Sequence, residues 1–216
     1  MQLDSVIEAP LIISGTLLNG VNNPLLIVRG RFIYSRLETP IWWASFLEIF
    51  KEATGFNPIP IRIGDIPLIS QYAVASLQAI RHLSDKLELT EEEVWSTLDL
   101  IDQAMFNFDV LKGIRYVQRF SSSILYRSSE DPVIVNVKPL KVRKLMSYPI
   151  DEPRFLDSSI VHLSGFLPVK LSSDFSEANV DAENGLWRML YGLPAPPGKF
   201  KWVWDLNWAS LLELLN

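Results

Sequence analysis

The chain contains no cysteine. This excludes disulfides, cysteine-ligated zinc, iron–sulfur clusters and thiol catalysis at once. Histidine is nearly as scarce. His82 and His162 are the only two, and neither has a second ligand at metal-binding spacing. A phosphate-cradling glycine loop, an HExxH pair and a nucleophile elbow are also missing. Ser121-Ser122-Ser123 has no assignable base. The expectation is no cofactor, no metal and no catalysis, with a small-molecule enzyme assembled from dispersed Asp, Arg and Tyr groups as the minor alternative.

Uninterrupted apolar runs are missing too. Residues 9–28 pass twenty positions without a charge, but Asn19, Gly20, Asn22, Asn23 and Pro24 break the stretch. Such groups are costly in a bilayer core, so the segment reads as a soluble hairpin and not as a membrane span. Asp4 and Glu8 stand where a secretory leader needs basic and then apolar residues. The expected location is cytoplasmic, or assembled in a virion-like particle.

What is present suits one sizeable core: 216 residues, 48% of them hydrophobic and 21% charged. The net charge of −5 argues against coating of nucleic acid by the whole protein but leaves room for a local basic site. Charge is strongly segregated. Asp85, Glu88, Glu91, Glu92, Glu93, Asp99, Asp102 and Asp109 face Lys86 alone, a local net of −7. Then Lys112, Arg115, Arg119, Arg127, Lys138, Lys141, Arg143 and Lys144 face Glu130 and Asp131, a local net of +6. Adjacent patches of opposite sign suit a protein that docks onto something charged.

Residues 11–18, 25–28 and 32–34 are β-rich around strong turn chemistry and predict an N-terminal hairpin covered on both faces. Thr39-Pro40 opens a helix that Gly55 stops. Further helices are expected over residues 69–83, from Thr90, and over 110–126. Thr90 with Glu93 forms a capping box. Val94, Leu98, Ile101, Met105 and Phe108 recur at the spacing of a buried stripe. Beyond Arg127, residues 133–137 read as a strand, the prolines at 139, 149, 153 and 168 predict extended segments and loops over residues 139–180 with His162 in a strand, and residues 184–190 read as a short helix. Residues 200–205 alternate as a strand, and residues 206–215 read as a closing amphipathic helix. The expected fold is therefore α+β: an N-terminal β-hairpin, a central bundle of about four helices, and an extended C-terminal arm with a short strand and a helix. Residues 1–127 form the hairpin and helical domain. Residues 128–216 form the extended region and aromatic arm, packed on the first domain or standing apart.

Two clusters are candidate binding surfaces. The basic surface comprises Lys112, Arg115 and Arg119, spaced along one side of a helix, with Lys138, Lys141, Arg143 and Lys144. It suits an acidic partner or phosphates, or else pairs internally with the acidic helix. The aromatic arm comprises Phe200, Trp202, Trp204 and Trp208. It suits anchoring in a neighbouring subunit, base stacking, or simple burial in a core strand. Asp99 and Asp102, three apart on one helix, form a carboxylate pair or a solvated face. Taken together, the sequence points to a non-catalytic structural or scaffolding subunit of a larger assembly, with protein partners that include copies of itself. A virion connector, neck or baseplate component is one concrete form. The alternative is a nucleic-acid-contacting accessory subunit of a ribonucleoprotein complex. On the arm reading, removal of residues 193–216 leaves a folded but assembly-deficient protein.

Overall fold

The computed structural model describes residues 5–18, 21–106, 109–153 and 156–215. Strands Ser5–Ser14 (β1) and Leu25–Tyr34 (β2) pair antiparallel, from Ser5 opposite Tyr34 to Ser14 opposite Leu26. This is the expected hairpin. Its Asn19-Gly20 turn lies outside the described residues, as does Phe108 of the expected stripe. Leu11, Ile12 and Ile13 are all buried, as are Leu25 through Val28, so both faces of the hairpin are covered.

Leu37–Glu38 (β3) and Ile63–Gly64 (β4) pair on either side of helix Trp43–Thr54 (α1). Gly55 ends α1 in the left-handed region at φ 76°, donating its N–H to Lys51 O. Helix Leu68–Leu87 (α2) follows, then Glu91–Met105 (α3). The capping box forms: Thr90 N donates to Glu93 Oε2 at 2.8 Å and Glu93 N to Thr90 Oγ1 at 3.3 Å. Helix Val110–Phe120 (α4) stops six residues short of its expected end at 126, because Ser121 turns left-handed at φ 52° and the chain enters strand Ile124–Tyr126 (β5). Gly113 lets α4 lie close on the sheet. A Cβ there would fall 2.7 Å from Ile27 Cδ1 and 2.8 Å from the Tyr126 ring.

The expected bundle-plus-arm architecture is overturned by a large sheet. Strands Val133–Ile134 (β6), Leu140–Pro149 (β7), Phe200–Asp205 (β8) and Trp208–Leu214 (β9) join the hairpin and β5 in a mixed seven-stranded sheet. Its order is β6-β5-β2-β7-β9-β8, with β1 on the other side of β2. β5 and β7 share one edge of β2, β5 against Leu25–Ile27 and β7 in parallel against Gly30–Phe32. The described residues hold six helices, the last two being Ser158–Ser173 (α5) and Glu177–Tyr191 (α6). α5 contains His162 and Pro168, so the expected strand and loops there are replaced by a helix and by β7.

The expected closing helix at 206–215 is strand β9, paired with β7 on one side and β8 on the other. Ala209 and Leu211 stand opposite Trp204 and Trp202, while Ser210 and Leu212 use the second face. All four are buried, so the run is apolar on both faces and carries no alternation. One core cluster reaches from Ala9 to Leu212, and a smaller one joins Leu18 to Ile160, Leu167, Leu186 and Leu190.

The sheet curls until β8 comes into contact with β1, and α6 seals the gap. Asn184 Nδ2 donates to Phe200 O at 2.7 Å, and Trp202 N donates to Asn184 Oδ1 at 3.1 Å, which closes the outer edge of β8. Glu183 accepts the Gly15 N–H at 2.8 Å and the Lys201 ammonium at 2.6 Å. Lys201 and Glu183 are both buried, and burial outweighs the partner carboxylate to lower the lysine pKa.

Candidate functional site

The aromatic arm is part of the sheet. Trp202 and Trp204 are buried, and Trp202 Nε1 donates to Pro194 O at 3.1 Å. Phe200 and Trp208 are half-buried against the same core. Phe200, Trp202 and Trp204 share one face of β8, Trp208 stands opposite Asp205 on the other, and the two buried indoles present no free face to a neighbour.

The residues of the basic surface lie on α4, on β7 and in the segment before it, and differ in their partners. Lys112 is exposed and held by Asp109 at 2.8 Å. Arg143 pairs with Glu213 at 3.6 Å, and Lys144 with Asp65 at 2.7 Å. Lys138 and Lys141 are exposed. Arg119 is exposed and lies over the Phe120 ring, 5.4 Å from its centroid, and over Trp95 at 6.0 Å.

Arg115, expected on the exposed side of its helix, faces inward and is buried. Its Nε donates to Asp102 Oδ2 and its Nη2 to Asp102 Oδ1, each at 2.8 Å. Nη2 also reaches Ser76 Oγ at 2.7 Å, while Nη1 reaches Ala73 O at 3.0 Å and Gln118 Oε1 at 2.7 Å. All five guanidinium N–H groups are thus used. Burial works against the charge, but Asp102 outweighs it and the Arg115 pKa is raised. Tyr72 Oη donates to Asp102 Oδ1 at 2.7 Å, and burial followed by that carboxylate pushes the phenol well above its ordinary value. Of the carboxylate pair read from the sequence, Asp102 therefore belongs to a buried structural network.

Beside that network, α3, α4 and the 21–25 segment enclose a cleft of about 900 Å³. Leu17, Val21, Leu25, Phe106, Val110 and Leu111 give it an apolar floor, and Asp99, Gln103, Asp109, Lys112, Tyr126 and Ser128 give it a polar rim. Asp109 is a hub. It accepts from Lys112 Nζ at 2.8 Å, Tyr126 Oη at 2.8 Å and Ser129 N at 3.0 Å. Partial burial alone would raise its pKa, but these donors hold it down at about 2. Asn22 braces the wall, donating to Ser128 O at 3.0 Å and accepting from Ser128 N at 3.1 Å. Asp99 stands on the rim with its pKa raised, by burial first and then by the Asp102 carboxylate. His82 and His162 stay apart, on α2 and α5. Among the described residues, no group of three His, Asp or Glu side chains can hold a metal ion. No helix among them is long and apolar enough to cross a membrane.

The β5–β6 hairpin, which supplies the cleft wall, also carries an open sheet edge. Val133 and Ile134 are adjacent residues on opposite faces of β6, and they are 60% and 63% exposed. Val135 N donates to Ser123 O at 2.9 Å, and Val133 stands opposite Leu125. Odd-numbered residues of this strand therefore turn their backbone groups toward β5, and the N–H and C=O of Ile134 point outward. No described residue bonds them. Phe120 (53% exposed) and Arg119 end the neighbouring helix, three residues before Ser123. Nothing in the local sequence of Val133-Ile134 marks it as open. That signal comes only from the pairing of β5 with β2, which fixes which edge is left over.

Comparison with known protein families, curated proteins and solved structures gives no significant match.

Proposed function

We propose that the protein is a non-catalytic docking subunit of a larger protein assembly, held to a neighbour through the edge of β6 and the adjoining Arg119–Phe120 end of α4. The outward N–H and C=O of Ile134, bonded by no described residue, on a strand whose Val133 and Ile134 side chains are both exposed, carry this reading. An extended segment of a partner adds to such an edge by main-chain hydrogen bonds, and its alternate side chains cover the apolar pair. Pro132 has no N–H, so the added ladder is short and centres on Ile134 and Asn136. Phe120 with Arg119 offers the aromatic and guanidinium groups that dominate interface hot spots. The fitting partner is an extended apolar strand with a carboxylate where it meets Arg119.

The edge of β8, by contrast, is sealed by Asn184. Sealing one outer strand while leaving an apolar one open favours a specific contact over general exposure. The ionised groups of the cleft support the non-catalytic part. Asp102 and Asp109 are committed to Arg115 and Lys112, which leaves no evident acid–base pair.

The reading is tested with Ile134→Lys and Phe120→Glu in tagged protein purified from its native cells, sized by chromatography with light scattering. Both sites are exposed, so melting is expected to stay within about 0.5 kcal/mol of the parent. Wild type is expected in a complex several times its own mass, and both variants as monomers. A wild type that is always monomeric, or variants that stay in the complex, contradict the proposal.

A further inference from the structure

We propose that the α3–α4 cleft binds a primary amine carried on an apolar body, with Asp99 accepting from the ammonium, Gln103 offering a second acceptor, and the Leu17–Val21–Val110 floor taking the body. The inference is independent of the β6 docking face.

Three observations carry it. The cleft, at about 900 Å³, lies within the range of roughly 300–1,000 Å³ typical of small-ligand sites, and it pairs an apolar floor with few polar groups. Its charges are unevenly committed. Asp102 is held bidentately by Arg115, and Asp109 by Lys112, Tyr126 and Ser129. Asp99 has no hydrogen bond or ion pair with any described residue; Lys112, Arg115 and Arg119 act on it only at longer range, so its carboxylate is open to a cation in direct contact. Finally, Asp99 and Gln103 are one turn apart on α3, both lining the cleft, so an ammonium between them meets a carboxylate and an amide oxygen.

The chemistry selects against the alternatives. A neutral ligand leaves the Asp99 carboxylate unmatched, and an anion meets its repulsion. The ammonium of a lysine side chain on a peptide offers the same group as a free amine.

The test is calorimetric titration of the whole protein with 2-phenylethylamine, its neutral analogue 2-phenylethanol, the short ethylamine, and Nα-acetyl-lysine amide, whose side-chain ammonium is free. The first is expected to bind saturably, and the alcohol and ethylamine at least tenfold more weakly. Asp99→Asn keeps the shape and removes the charge. It is expected to weaken the amine about ten- to hundredfold while leaving the melting temperature unchanged. If the lysine derivative binds more tightly than the free amine, the source is a partner's side chain; the reverse order assigns a small molecule. Equal binding of amine and alcohol, unchanged affinity in Asp99→Asn, or no binding by either amine overturns the proposal.

Discussion

Asp205 on β8 caps helix α2 from 136 residues away, accepting the Ile69 N–H at 3.0 Å. The N-cap position of α2 is Pro67, which supplies no side-chain cap of its own. Asp205 also accepts from the Leu68 backbone and from Ser210 Oγ, the latter at 2.7 Å. Helix starts leave backbone N–H groups without partners, and buried orphans are costly. The C-terminal strands therefore complete a helix in the first half of the chain. Asp205→Ala is expected to lower stability by about 2–3 kcal/mol in urea unfolding. A loss under about 0.5 kcal/mol would show that water replaces the cap.

The same dependence bears on truncation. Removing residues 193–216 deletes β8 and β9, the Asp205 cap and the Lys201–Glu183 contact. It also strips β7 of its antiparallel neighbour. The truncated chain is expected to show no cooperative unfolding by circular dichroism, the reverse of what an independent arm implies. A cooperative transition would restore the arm.

Arg115 and Asp102 form a buried pair, and removing one partner leaves a charge without compensation. Arg115→Met is expected to cost about 3–5 kcal/mol. Arg115→Met with Asp102→Leu is expected to cost clearly less than the two single changes summed, as read from a double-mutant cycle in denaturant. Additive losses would mean that the two groups do not act as a pair.

Asp109 sets an acid limit on the cleft wall. Its pKa lies at about 2, below the ordinary 3.8, so its contribution is fully present above that ordinary value. It is lost as pH falls from there toward about 2. Tyr126→Phe removes one donor, so the Asp109 carboxyl is expected to titrate closer to 3.8 by carbon-13 NMR. An unchanged titration would assign the depression to Lys112 and Ser129 alone.

The helices α1 to α4 were legible because their signals are local. Thr90 and Glu93 sit three apart, Gly55 marks a stop, and Val94, Leu98 and Ile101 repeat at helical spacing. β9 was not, because Trp208-Ala209-Ser210-Leu211-Leu212 has no period-two pattern when both faces are buried. α5 was hidden by Pro168, which the helix tolerates in its interior. The alternation at 200–205 marks a strand, but its neighbours come from β9 and α6, which local sequence does not name. Arg115 looked like a member of an exposed row until Asp102, thirteen residues away, took it inside. The cleft and the β6 edge draw on segments more than a hundred residues apart, as Asn22 and Ser128 illustrate. Pairwise spacing within one segment carries no trace of either.

The most direct measurement is hydrogen exchange at the Ile134 amide, in the purified protein and in the complex isolated from its native cells. In the isolated protein this outward N–H is expected to exchange within about tenfold of an unstructured peptide, since no described residue bonds it. In the complex it is expected to slow at least a hundredfold, with Asn136 following and Val135 little changed. Equal exchange of Ile134 in the two states would contradict a partner strand at this edge.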